Sequence, residues 1–159
     1  MERREFIAVV SGAAATLPFP AVAADHPKES GQEGMPAGIE RYEPTPAMPG
    51  VPLICFAVAH GGIAYISGIT ANPEKLGDVK DQTRQITARI DALLAKAGTD
   101  KSKLLTAQVW LTDMRHFADH NDAWNEWVDP KNPPARACLL SPQLWRPGML
   151  VEIMVTAAK

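Results

Sequence analysis

The chain has little of what usually announces an activity. Its 159 residues include two cysteines, Cys55 and Cys138. They are far apart and lack metal-ligand spacing, which excludes a disulfide scaffold and leaves a single bridge without support. Neither sign of charge dominates: 16 basic against 18 acidic side chains give a net −2. The electrostatic footprint of a general nucleic-acid binder is therefore missing. No apolar run is long enough to span a bilayer, since the longest, residues 8–22, contains Pro18 and Pro20. Also absent are GxGxxG, a Walker loop, HExxH and GxSxG, so nucleotide binding, zinc proteolysis and serine-hydrolase chemistry have no basis here. No metal and no cofactor are expected.

What is present begins with an export signature. Arg3-Arg4-Glu5-Phe6-Ile7 is followed by a modest apolar run and then by the small-residue box Ala21-Val22-Ala23. That order reads as a twin-arginine signal peptide over residues 1–23, with an exported, periplasmic or secreted product and no stable membrane association. Residues 24–50 are rich in Pro, Gly, Glu and Ser and read as a flexible arm.

From residue 51 to 159 the pattern is that of one folded domain, long enough to bury a core without disulfides. Leu53 to Ala59 and Ile63 to Ser67 read as a hairpin around His60-Gly61-Gly62. Asp78 is a helix N-cap, and Ile86, Ile90, Leu93, Leu94 and Ala97 form an amphipathic stripe that Gly98 ends. Leu104 to Leu111 is the next strand. A second helix runs from Met114 to Val128, and two further strands complete a ββαβαββ order. The expected class is α+β, a mixed sheet with two helices on one face. The other face needs a cover, for which self-association is the expected source.

Two charges interrupt the last two apolar runs, Arg136 in Pro133 to Leu140 and Glu152 in Met149 to Val155. Burying such a charge is costly unless it is paired or meets a ligand. Two readings stand side by side. The two side chains form an ion pair across neighbouring strands, or they are a site in which an Arg fork grips a carboxylate and a Glu handles protons. His116 and His120 have i, i+4 spacing, but the surrounding charge points to an exposed helix face rather than to a metal. Trp124 and Trp127 read as core or subunit contact.

Several segments together resemble the RidA/YjgF family of reactive-intermediate deaminases. They are Ile66-Ser67-Gly68, Asp81 to Gln85, Ala97-Gly98, Val109 to Met114, Phe117 with Asn121, Pro134-Ala135-Arg136 and Val151-Glu152-Ile153. The resemblance spans roughly residues 50–158 and implies a chorismate-mutase-like (YjgF-type) domain, assembled as a homotrimer with sites between subunits. It implies hydrolysis of 2-imino or 2-enamino acids to ammonia and a 2-oxo acid. Arg136 would hold the carboxylate and Glu152 would assist the water, with Gly68, Asn121 and Cys138 lining the site. Where the family usually carries Tyr-Ser, this chain has Ile54-Cys55-Phe56, and Phe56 is the ring that remains nearby. The alternatives are a non-catalytic trimer that binds small acids or acts as a chaperone, and an endoribonuclease. The partners expected are a small carboxylate-bearing imine or enamine and further copies of the chain, not nucleic acid.

Overall fold

A computed structural model describes residues 38–159. The expected signal peptide and the first part of the arm lie outside the described residues. Six strands form one mixed sheet: β1 (Glu40–Pro44), β2 (Cys55–His60), β3 (Ile63–Thr70), β4 (Leu104–Leu111), β5 (Ala135–Leu140) and β6 (Val151–Ala158). Their spatial order is β1-β2-β3-β6-β4-β5. Only β4 and β5 run parallel. That pair is joined by a crossover containing the second helix, as parallel neighbours require. The α+β architecture expected from the sequence is the one observed.

Helix α1 (Val79–Lys96) starts where Asp78 accepts a hydrogen bond from the Asp81 backbone N–H at 2.8 Å. It stops at Gly98, whose φ of +80° lets Gly98 N–H reach Ala95 O and Thr99 N–H reach Leu94 O. This pair of bonds is the Schellman closure that favours glycine. The stripe of Ile86, Ile90, Leu93 and Leu94 is fully buried. After a 3₁₀ turn at Met114–His116, helix α2 (Phe117–Trp127) buries Trp124 and Trp127 in the same core.

Strand β6 lies in the middle of the sheet, between β3 and β4. Its residues alternate strictly: Val151, Ile153 and Val155 are buried against the helices, while Glu152, Met154 and Thr156 point to the other face. On that second face Tyr65, Leu105 and Leu139 remain exposed.

The arm expected over residues 24–50 is corrected at its C-terminal end, where β1 pairs with β2. Its composition is poor in large apolar groups because it is an edge strand with one solvated side. Tyr42 still packs on the core, and Glu43 binds Arg89 and Lys96 of α1. These two cations hold the Glu43 carboxyl down at about 2. Thr45 closes the loop behind β1, its hydroxyl donating to Pro52 O at 2.7 Å and accepting from Ile54 N–H at 3.0 Å. No helix among the described residues is long and apolar enough to cross a membrane.

Ile90→Ala should lower stability by about 2–5 kcal/mol, since it empties a fully buried side-chain volume. Urea denaturation at fixed protein concentration measures it. A loss well under 1 kcal/mol would mean that the α1 stripe is not core.

Candidate functional site

The sheet order decides how the two interrupting charges relate. β5 and β6 are not neighbours, because β4 runs between them. Arg136 is level with Ala107 of β4, whereas Glu152 is level with Trp110. Ala107 is buried on the helix side, and Arg136 points the same way, onto α2. Glu152 projects from the opposite face. Of the two readings, the cross-strand ion pair is therefore excluded. The two residues also share no cavity within one chain, so a single copy does not bring them to the two ends of one small substrate.

Glu152 belongs to a cleft of about 1020 Å³ that Gly68, Phe56, Ile54, Ile69, Thr70 and Trp145 help to line. The Trp145 indole N–H donates to Thr70 Oγ1 at 3.2 Å within this lining. A Cβ on Gly68 would overlap Glu152 Oε1 and lie 3.1 Å from its Cδ. Glycine is needed here for close approach of the carboxylate, not for an unusual backbone angle. Glu152 is half-buried and takes part in no ion pair among the described residues. Burial accordingly pushes its carboxyl above the ordinary value of 4.5. The cleft also contains Arg89, but that cation is already bound to Glu43 and lies over the Phe56 ring, 5.5 Å from its centroid.

Arg136 sits in a second place, between β5 and α2. Its guanidinium carbon lies 4.9 Å from the Trp124 ring centroid, and Nη2 donates to His120 Nε2 at 2.6 Å. No carboxylate among the described residues pairs with it. Burial lowers the Arg136 pKa, and a guanidinium keeps its charge regardless. Two buried side-chain polar atoms among the described residues have no hydrogen-bond partner, Arg136 Nε and Asn121 Oδ1. One is a donor on β5 and the other an acceptor on α2. Unpaired buried polar atoms are rare because each costs about 1–3 kcal/mol.

Cys138 shares the Arg136 side of β5 and packs against the core opposite Val109. Burial raises its thiol pKa, so it stays protonated and is no activated nucleophile. Cys55 and Cys138 are both free and lie on β2 and β5, separated by three intervening strands.

His120 was expected on an exposed polar helix face, and there the structure differs. Its imidazole is fully buried. The signal lay in the spacing, because His120, Trp124 and Trp127 recur at i, i+4 and i+7 and share the core-facing stripe of α2. The charges that argued for exposure, Asp119 and Asp122, turn outward to Lys80. Thr83, also buried, was not singled out by the sequence and meets His120 Nδ1 at 2.9 Å.

Two outcomes follow from the Glu152 environment. Its carboxyl titrates higher folded than unfolded, so the charged form opposes folding. Glu152→Gln should therefore raise stability at neutral pH, with the gain fading as pH falls toward 4.5 and absent below it, where both states are protonated. Denaturant midpoints across pH measure this, and a gain independent of pH would contradict it. Gly68→Ala should change stability by no more than about 1 kcal/mol, because its backbone angle suits alanine. It should nonetheless displace the Glu152 carboxylate, which side-chain carboxyl NMR shifts would register.

The matching family profile, described as endoribonuclease L-PSP, covers residues 49–159. A RutC family protein of Haemophilus ducreyi is 43% identical over 99 residues, 62% of this chain and 83% of that protein. The RutC family protein YoaB of Escherichia coli is 38% identical over 101 residues, 64% of this chain and 86% of that protein. Among solved structures, a YjgF-family protein of Neisseria meningitidis superposes with a TM-score of 0.69 at 35% identity, covering 77% of this chain and 95% of that one. A Rid-family protein of Yersinia pestis does so with a TM-score of 0.67 at 30% identity, covering 77% and 100%. The profile spans the folded domain from the β1–β2 loop to the last residue, and the chain belongs to the RidA/YjgF family, described also as endoribonuclease L-PSP.

Proposed function

We propose that the protein is a hydrolytic deaminase of 2-imino and 2-enamino acids, working as a homotrimer whose sites lie between subunits. The observation that carries this reading is Arg136. It is a half-buried cation held by neutral groups, with no carboxylate partner among the described residues and with its Nε unpaired, as is Asn121 Oδ1 on α2. A substrate carboxylate satisfies the guanidinium through charge-assisted hydrogen bonds, and Asn121 Oδ1 accepts from an N–H of the same substrate.

Glu152 supplies the proton chemistry. As water adds to the C=N carbon, its carboxylate accepts a proton from the attacking oxygen. The carboxyl passes that proton to the nitrogen, giving a carbinolamine. The carboxylate then relays the remaining hydroxyl proton to the same nitrogen, so that the C–N bond breaks and ammonia leaves as the carbonyl of the 2-oxo acid forms. An enamine is first protonated on carbon to give the imine. A carboxyl whose pKa burial raises above the ordinary 4.5 is a better proton acceptor than a solvated one and can return the proton afterwards. Because Glu152 and Arg136 occupy opposite faces of one sheet, the proposal requires the Arg136 side of one copy to meet the Glu152 cleft of another. A twin-arginine leader would export the assembled protein in its folded state.

The same Arg136 environment would serve a trimer that binds small acids without turnover. The endoribonuclease reading, taken from the family's description, has less support. His120 is buried and spent in hydrogen bonds, and the net charge is −2.

Imines generated in situ by an amino-acid oxidase provide the test. The protein should accelerate 2-oxo acid formation. Arg136→Ala should raise KM by about 10-fold or more through the lost charged hydrogen bonds. Glu152→Gln should lower kcat by roughly 10²–10⁴-fold. No acceleration with any of several side chains would remove the enzyme reading. Carboxylate binding that persists in calorimetry would then leave the binding protein. A monomer with full activity would refute the interfacial site.

A further inference from the structure

We infer that His120 is a positioning residue, a buried neutral imidazole that fixes the Arg136 guanidinium for a carboxylate without cancelling its charge. This rests on reading Arg136 as the carboxylate grip, and it adds a second residue to that function.

Hydrogen-bond polarity fixes the tautomer of this ring. Arginine can only donate, so the 2.6 Å contact from Arg136 Nη2 requires a lone pair on His120 Nε2. The ring proton of the neutral imidazole is then on Nδ1, where it donates to Thr83 Oγ1 at 2.9 Å. The Thr83 hydroxyl in turn donates to Val79 O at 2.7 Å, inside α1. Every donor in this run meets an acceptor, and its far end is anchored in the backbone of a capped helix. A doubly protonated ring would point Nε2–H at an arginine N–H. Burial, with the Arg136 charge adding to it, lowers the His120 pKa to about 4.

Among the described residues, the groups that face His120 and Arg136 from the packed elements are uncharged. They are Thr83 on α1, Trp124 on α2 and the Cys138 thiol on β5. A carboxylate in place of His120 would fix the guanidinium equally well. It would also form an ion pair and compete with the substrate for it. An aliphatic residue would leave the cation intact but remove the acceptor, freeing a long side chain with several rotamers to lose on binding. Histidine held neutral meets both requirements, geometry fixed and charge retained.

The test combines the unmodified protein with three His120 variants and Arg136→Ala. Long-range ¹H–¹⁵N NMR should show His120 as the Nδ1–H tautomer at neutral pH, with its titration displaced well below the ordinary value of 6.5. An Nε2–H tautomer, or titration near 6.5, overturns the inference whatever the variants do. With 2-oxobutanoate as the calorimetric probe, His120→Leu should weaken binding about 10-fold, the loss expected for one hydrogen bond to a charged group. In the imine assay the same change should fall on KM more than on kcat. His120→Gln, whose Oε1 reaches the Nε2 position, should restore binding to within about threefold, and His120→Glu should be at least as weak as His120→Leu. Equal binding by all four proteins would overturn the inference. Arg136→Ala separates the two readings. If it binds the probe as tightly as the unmodified protein, the carboxylate reading fails. If it loses binding while His120→Leu keeps it, only the role of His120 fails.

Discussion

The side-chain alternation of β6 governs the arrangement of everything else. This strand is bonded on both edges, to β3 and to β4, so it cannot slip by one residue without exposing Val151, Ile153 and Val155 and burying Glu152, Met154 and Thr156. Each of those three aliphatic side chains contributes about 1.5–3 kcal/mol when fully buried. Against such a sum, the cost of half-burying one carboxylate on the far side is tolerable. The same period fixes β4 and β5 through register, putting Ala107, Arg136, Val109 and Cys138 on the helix side. The position of both interrupting charges is thus set by core packing, before any electrostatic interaction is considered.

Helix α1 was legible because its signals are local. A cap at Asp78, a 3–4 spacing of aliphatic residues and a positive-φ glycine at position 98 all act within a few residues of chain. The hairpin at Gly61-Gly62 was legible for the same reason. Strand β1 was not, since an edge strand with one wet side has no apolar excess, and its pairing with β2 spans a loop of Pro and Gly. His120 was hidden by its neighbours: Asp119 and Asp122 are charged, and only the i+4 step to Trp124 shows that the face between them turns inward. The family resemblance located Arg136, Glu152 and Gly68 from their surrounding motifs, but their mutual geometry was out of reach. Chain order makes β5 and β6 look adjacent, whereas β4 separates them in space.

That separation has an energetic meaning. A fold that kept one Arg and one Glu only for stability would pair them, because two unpaired half-buried charges of opposite sign each pay desolvation without the Coulombic return. Here the two are held on opposite faces and two strands apart, and each has its own neutral setting. Arg136 is met by an imidazole, an indole and a thiol. Glu152 is met by Gly68, whose missing side chain leaves room for it.

The two settings act on their charges differently, and the difference fits two different tasks. A guanidinium cannot lose its proton near neutrality, so a neutral surrounding leaves it as an unquenched cation in reduced solvent, where attraction to an anion is stronger than in water. A carboxyl in a similar surrounding responds differently, because burial raises its pKa above the ordinary 4.5 and so strengthens its hold on a proton. One setting thereby preserves a charge, and the other raises a carboxyl's affinity for its proton. Had the chain paired them, Glu152 would titrate lower and Arg136 would be neutralised, and neither task would remain. Keeping them apart within one copy preserves both properties, as the reaction proposed between copies would require.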